Sequence, residues 1–394
     1  MSRSSGQRRV VVDDASHVRY VSPGYVLFDR GGTLFAQAFN PTPGTMLGTA
    51  VPLIQGIATN VGVALASSGT LAYYAATSET SESMRLVQVS RAGMPAPLSE
   101  TAGSVWFPRF SPDGAKIAYG LSASPGLAGP SDVWVVDVQR GALTRVTFGG
   151  NNRHFPTWTR DGTMITTANG VTAPNNVISA SADGSGVVRS VLENAPRSFP
   201  TSWSPDGRTL ALHTGGGAGP GTSTSRDIVM WSSGAASPTP FVATPFEERG
   251  PIFSPNGRWV AFVSNKSGMN EVYARPFPGP GEEITISVGG GGEPVWGPSG
   301  RELFYRHEGK LLVVPLSDAA ATLTAGKPAV LFTDPYRLDI SGSAGGVANY
   351  DVSPDGQRFV MVEPLRAGNG QPQSARIEVV LNWSEELKRL APAK

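Results

Sequence analysis

An all-β chain built as a β-propeller is what this sequence predicts, and three observations carry the prediction. A four-residue turn string recurs along the whole length. Each copy is flanked by apolar residues spaced two apart, the period of a strand. Glycine and proline are abundant, 48 and 33 of 394 residues, while hydrophobic residues still make up 40%. Many turns with ample core material describe short, packed strands rather than a disordered or collagen-like chain.

The turn string is Ser-Pro-Asp-Gly at 111–114, 204–207 and 353–356. Looser copies stand at 66–69, 159–162, 254–257 and 297–300. The final glycines fall about 48 residues apart on average, near the length of a four-stranded propeller blade. Proline presets the first corner of a type I turn, Asp or Asn suits the second, and glycine takes the left-handed position that follows. Each such Asp is therefore read as turn structure before any catalytic or metal role.

The element before each turn ends in Phe110, Trp158, Trp203, Phe253, Trp296 or Val352. Its prolines, Pro108, Pro156, Pro200, Pro251 and Pro294, recur at matching places. Proline cannot donate to a ladder and belongs on an edge, so this strand is predicted to be the innermost. After the turn come pairs such as Ile117/Tyr119, Leu210/Leu212 and Val260/Phe262. The residue between is alanine in each of these, so both faces of this strand are expected to be buried. Third strands are expected over 133–138, 177–180, 228–231, 271–275 and 311–316. Fourth strands are expected over 143–148, 187–192, 239–243, 284–288 and 329–332.

Counting from these units predicts four-stranded antiparallel blades in about eight repeats, with seven or six as the alternatives. A degenerate first unit spans 17–57. The last, 345–383, supplies three strands, and the N-terminal strand 8–12 is expected to complete it and close the ring. The propeller would then occupy 1–383. The remainder, 384–394, reads as a short helix with Ser384 as its N-cap and acids in its first turn.

Composition narrows the function classes. Lys plus Arg is 32 and Asp plus Glu is 31, a net charge of +1, so no basic footprint for nucleic acid is present. Cysteine is absent, which excludes disulfides, thiolate zinc sites and a cysteine nucleophile. The start has no signal-peptide core and no run of 18 apolar residues occurs, which predicts a cytoplasmic chain without membrane insertion. An upstream segment in a longer gene would instead make it periplasmic.

No Gly-x-Ser-x-Gly elbow is present. The four histidines, at 17, 154, 213 and 307, lie in different units without ligand spacing, so no metal and no cofactor are expected. The glycine run 215–221 fits no phosphate loop. The long connections 122–131, 214–226 and 365–375 gather at one end of the predicted channel with the segments entering the inner strands. Those segments carry Arg109, Arg153, His154, Arg197, Glu248, Arg249, Glu293 and Tyr350, with Glu247 and Asn349 beside them. These are the candidate ligand-binding residues, on the reasoning that arginines clamp a carboxylate or phosphate. Set against this, rim charges are often merely solvated.

The Ser-Pro-Asp-Gly units resemble those of the bacterial TolB-type, WD-repeat-like propellers over nearly the whole chain. Three longer strings, Asn349–Gly356, Val380–Lys388 and Glu271–Pro278, look like the C-terminal propeller regions of bacterial serine/threonine protein kinases. That resemblance implies a sensing or interaction module and a protein or peptide partner. TolB-type propellers commonly have six blades, fewer than the turn count here. The kinase loops themselves are missing: no His-Arg-Asp and no Asp-Phe-Gly occurs, so kinase activity is not carried over. The expectation is a non-catalytic binding scaffold. The alternatives are a channel-mouth hydrolase or lyase acting on a small ligand or saccharide, and a remnant of a larger kinase receptor.

Overall fold

A computed structural model describes residues 11–12, 16–21, 24–30, 33–55, 57, 63–66, 69–75, 84–101, 103–122, 130–149, 153–170, 175–195, 197–215, 226–319, 322–336, 346–364, 376–383, 387 and 389. The chain divides into two units. One comprises 1–80 with 368–394, and the other comprises 81–367.

The larger unit is a β-propeller of six antiparallel sheets. Blade 1 holds Ser104–Phe110, Lys116–Ser122, Ser131–Asp137 and Leu143–Arg145. Blade 2 holds Thr157–Trp158, Met164–Asn169, Asn175–Ser181 and Val188–Ala195. Blade 3 is Ser198–Trp203, Thr209–Thr214, Ile228–Ser232 and Thr239–Val242. Blade 4 is Glu248–Phe253, Trp259–Ser264, Glu271–Pro276 and Ile284–Thr285. In blade 5, Gly292–Trp296 and Glu302–His307 precede a long strand, Lys310–Ala319, which pairs with both Thr322–Ala325 and Ala329–Thr333. Blade 6 joins Tyr350–Val352 and Arg358–Pro364 to two strands from the start of the unit, Met84–Ser90 and Pro95–Thr101.

The first strands of successive blades touch in a closed cycle, blade 6 meeting blade 1, so the strand before each turn is the innermost, as its prolines predict. The turns are built alike. In blade 1, Ser111 Oγ donates to Asp113, whose Oδ1 accepts from the Ala115 N–H, while Ser111 Oγ accepts from the Lys116 N–H. The pattern repeats at Thr159/Asp161, Ser204/Asp206, Ser254/Asn256 and Ser353/Asp355. These residues make turns, as their sequence context indicates.

Both faces of each second strand are buried because they serve different cores. Ile117 and Tyr119 pack with Val136, Val360 and Val362, toward blade 6. Ala118 between them packs with Trp158, Ile165 and Ala180, toward blade 2. A buried aliphatic or aromatic side chain contributes roughly 1.5–3 kcal/mol, so the seams between blades hold the ring together. The turn-preceding tryptophans add a directed bond. Trp158 Nε1 donates to the Arg109 carbonyl at 2.9 Å, and Trp296 Nε1 to the Ile252 carbonyl at 3.1 Å, each across a seam.

Ring closure differs from the expectation. The free edge of Arg358–Pro364 is taken by Met84–Ser90, from Arg358↔Ser90 to Pro364↔Met84. Strand 8–12 was expected there; residues 8–10 lie outside the described residues, and Val11 and Val12 are not in a strand. Arg376–Val380, expected as the third strand of that last blade, pairs instead with Leu71–Ala75. The unit around turn 66–69 is thus split, its inner pair in one unit and its outer pair in the other. The physical reason is edge satisfaction. A ring that borrows its last blade's outer strands from its own beginning leaves no unpaired edge at the joint.

The smaller unit has a four-stranded sheet, Ser16–Val21, Tyr25–Arg30, Thr33–Asn40 and Thr45–Gln55. A three-stranded sheet of Ala64–Leu65, Leu71–Ala75 and Arg376–Val380 accompanies it. Trp383 and Leu387 are buried with Tyr25, Leu27, Leu34 and Leu71 in its core. The expected terminal helix lies mostly outside the described residues, though Leu387 and Arg389 have helical backbone. Among the described residues no helix is long and apolar enough to cross a membrane.

Candidate functional site

The end of the propeller where fourth strands connect to the next inner strand, and second strands to third, is where most of the sequence-named residues fall; Arg109, next to last in Ser104–Phe110, stands instead toward the turn at the other end. The inner strands are bulged there. Phe107, Phe155, Gly250 and Glu293, each just before an inner-strand proline, have left-handed backbone with φ of 52°, 62°, 59° and 56°. At position 250 only glycine fits, since a Cβ would stand 2.2 Å from the Gly346 carbonyl oxygen. The bulges bring the aromatic rings of three blades together. Phe107 stacks on Phe155 at 4.4 Å, and Phe155 meets Phe199 at 5.1 Å. Trp106, Ala168 and Val347 complete this buried cluster.

The structure separates the named residues into three groups. Arg109, Glu293 and Tyr350 lie at the seams of blades 5, 6 and 1. Glu293 Oε2 accepts from Arg306 Nη1 at 3.0 Å and from the Asn349 N–H at 2.7 Å. Arg306 also donates to Asp334 Oδ2 at 2.5 Å, and its guanidinium lies 4.7 Å from the centre of the Tyr350 ring. The Tyr350 hydroxyl donates to the Glu293 carbonyl, and Asn349 Oδ1 accepts from the Phe107 N–H. Arg109 donates to the Tyr350 carbonyl at 3.2 Å. This network ties the closing blade to both neighbours. Burial pushes the Asp351 carboxyl up to about 6, against the opposing pull of Arg109.

Arg153 and His154 form the second group, between blades 1 and 2. Arg153 donates to Asp132, to Asn169 Oδ1 and to the Phe148 carbonyl. Asp132 also accepts from Arg145 and Thr147. The buried His154 ring lies 3.1 Å from Ser131 Oγ through Nε2. These side chains hold the connections between blades 1 and 2.

The third group, on blades 3 and 4, holds Arg197, Glu248 and Arg249. Backbone bonds set it. The Gly215 N–H donates to the Arg197 carbonyl, the Thr214 N–H to the Asp227 carbonyl, and the Glu248 N–H to the Arg226 carbonyl. Arg197, Arg226 and Arg249 are thereby lined up around His213, which pairs with Phe199 on one side and Ile228 on the other. Glu247 Oε2 lies 3.1 Å from Arg226 and 3.7 Å from Arg249. Glu248 is engaged by Thr244 and Ser264, and burial raises its carboxyl.

His213 is fully buried, with Phe199 at 5.3 Å and Phe155 at 5.8 Å. Neither ring nitrogen has a hydrogen-bond partner among the described residues. Burial, followed by Arg226, Arg249 and Arg197, pushes its imidazole down to about 3, so the ring is neutral near pH 7.

Sequence reasoning missed two members. Arg226 stood at the end of a loop, and His213 was set aside as an isolated histidine. The available signal was positional: His213 is next to last in a second strand and Arg226 stands just before a third, at the mouth end. Among the described residues, no group of three or more His, Asp or Glu could hold a metal ion.

No protein-family model matches the chain, and no curated protein matches it. Solved structures do. A protein described as TolB from Agrobacterium tumefaciens is 20% identical with a TM-score of 0.55, over 72% of this chain and 99% of its own. TolB from Acinetobacter baumannii is 15% identical at 0.46, over 88% and 78%. An oligogalacturonate lyase in complex with manganese is 11% identical at 0.45, over 78% and 96%. The likeness is one of fold. The chain contains a TolB-like β-propeller.

Proposed function

We propose that this chain is a non-catalytic binding scaffold that takes a protein or peptide partner on the mouth face of its propeller. One observation carries the reading: large apolar side chains stand in water at the mouth end of the propeller, from the joint of blades 1 and 2 to that of blades 4 and 5. Phe148, Phe246 and Val288, each between a fourth strand and the next inner strand, are 51%, 43% and 86% exposed. Met269, between second and third strands of blade 4, is 51% exposed. Exposed apolar groups on this face favour association with another macromolecule. The mouth carboxylates at 132, 248 and 293 have structural partners, which favours binding over acid–base chemistry. The kinase-linked or envelope partner implied by the three resemblance strings belongs to this reading.

The test is capture of partners from lysate and envelope fractions on the purified chain. The expected result is one saturable partner, retained by the opposite-face variant Met94→Ser and lost in Phe148→Ser/Phe246→Ser. Capture unaffected by the mouth-face double variant would overturn the reading.

A further inference from the structure

The innermost strands carry charge as well as proline. Each blade places one inner-strand residue opposite the second-strand residue that stands four past its turn glycine. These are Arg109, Thr157, Ser202, Ile252, Val295 and Asp351, one layer around the axis. Arg109, Ser202, Ile252 and Asp351 are partly exposed. A side chain on the innermost strand of a closed ring meets water along the axis. Toward the mouth lie the buried rings of Phe107, Phe155 and Phe199, so the layer opens at the turn end.

Arg109 and Asp351 are the two charges of that layer, side by side at the seam of blades 6 and 1. Each bonds the chain neighbour of the other. Arg109 Nη1 donates to the Tyr350 carbonyl at 3.2 Å, and Asp351 Oδ2 accepts from the Phe110 N–H at 2.8 Å. Yet among the described residues the two side chains make no ion pair at 4.0 Å or less. The second bond of Arg109, to the Pro108 carbonyl, also runs through Nη1, so Nε and Nη2 have no protein acceptor among the described residues. Asp351 meets only backbone N–H groups there, those of Phe110 and Val352. Burial pushes both groups toward their neutral forms, the guanidinium down and the carboxyl up to about 6, while each pulls the other back. Opposite charges held apart in a half-dry space each lack a full counter-charge.

We propose that Arg109 and Asp351 bind a small zwitterion of the amino-acid type at the turn end of the propeller axis. Its carboxylate takes the open Nε–Nη2 edge of Arg109, a fork that matches two carboxylate oxygens. Its ammonium takes Asp351, whose two oxygens keep acceptor capacity beyond the backbone bonds. A simple anion would meet the charge of Asp351, and a simple cation that of Arg109, so a ligand carrying both signs suits the layer better than either. The site lies at the end opposite the mouth face and does not depend on it.

The experiment uses the full chain at pH 7, with glycine and β-alanine as probes and acetate as the anion-only comparison. Binding is followed by the NMR resonances of the Arg109 Nε–H and the Asp351 carboxyl carbon, and by calorimetry. Saturable shifts of both resonances by a zwitterion are expected, with the Asp351 titration midpoint moving below its unliganded value of about 6. Affinity is expected to fall about tenfold or more in Arg109→Gln and in Asp351→Asn. Asp351→Asn keeps an acceptor for the Phe110 N–H and so tests the charge with the seam bond retained. Arg109→Lys keeps the charge without the fork, and an intermediate loss is expected; it also serves if Arg109→Gln does not fold. Arg140→Gln, on an exposed turn of blade 1, is expected to bind like the parent chain. No saturable shift by either zwitterion overturns the proposal, as does equal binding by Asp351→Asn. Acetate binding as tightly as the zwitterions overturns the role given to Asp351 and with it the assignment to a zwitterion.

Discussion

Acidification offers a direct reading of His213. In the unfolded chain its imidazole takes a proton near pH 6.5, whereas in the folded chain burial and three arginines hold it down to about 3. The unfolded state therefore binds the extra proton first as pH falls. Stability is fully present above 6.5 and is lost through the window down to about 3, by about 1.4 kcal/mol per pH unit for one proton. At pH 4 the loss from this one group is about 3 kcal/mol, and over the whole window about 5 kcal/mol. That is a large share of the 5–15 kcal/mol typical of a folded protein. Other carboxyls also titrate here, so the comparison is with His213→Phe, which keeps a ring of similar shape and cannot take a proton. Urea unfolding followed by tryptophan fluorescence, at half-unit steps from pH 7 to pH 4, gives the two curves. The variant is expected to lose about 3 kcal/mol less than the parent between pH 7 and pH 4. Parallel curves would refute the reasoning, as would a His213 ring that titrates near pH 6.5 in the folded protein.

Three further outcomes follow from the same structure. Arg306→Met leaves Glu293 and Asp334 buried without their cation and is expected to cost about 3–5 kcal/mol in urea unfolding. Asp351 has the opposite sign to His213: its folded carboxyl is raised to about 6 and its unfolded one titrates near 3.8, so stability falls as pH rises between those values. The effect is at most about 3 kcal/mol, reduced by the part of the carboxyl that touches water, and Asp351→Asn is expected to flatten that limb of the stability–pH curve. Asp206→Ala removes the acceptor for Ser204 Oγ and the Arg208 N–H in an exposed turn, and a lower midpoint in thermal or urea unfolding is expected.

How far the sequence reaches can be seen residue by residue. The turns were legible because their bonds close within five positions, as from Lys116 N–H to Ser111 Oγ and from Ala115 N–H to Asp113. The inner edge was legible because proline lacks a donor wherever it stands. The double burial of Ala118, Ala211 and Ala261 was legible from a two-residue period. Ring closure was not. Any strand with a suitable alternation can satisfy Arg358–Pro364, and nothing local distinguishes Met84–Ser90, some 270 residues away, from 8–12.

The site divides in the same way. Arg197 and Arg249 stood out as charges at the mouth, but Arg153, Glu293 and Tyr350 did so equally, and those have partners inside the ring. Arg153 reaches Asp132 across 21 positions, and Glu293 reaches Arg306, Asn349 and Tyr350 across 13 to 57. His213 acquired its surroundings only when two blades placed arginines 197, 226 and 249 about it. By itself, then, the sequence determined the repeated blade, its turns, its inner edge and its buried faces, because those depend on contacts a few residues apart. Tertiary structure alone decided which strands close the ring and which charges are neutralised, because a hydrogen-bond edge or a charge answers to whatever lies within a few ångströms, regardless of separation along the chain.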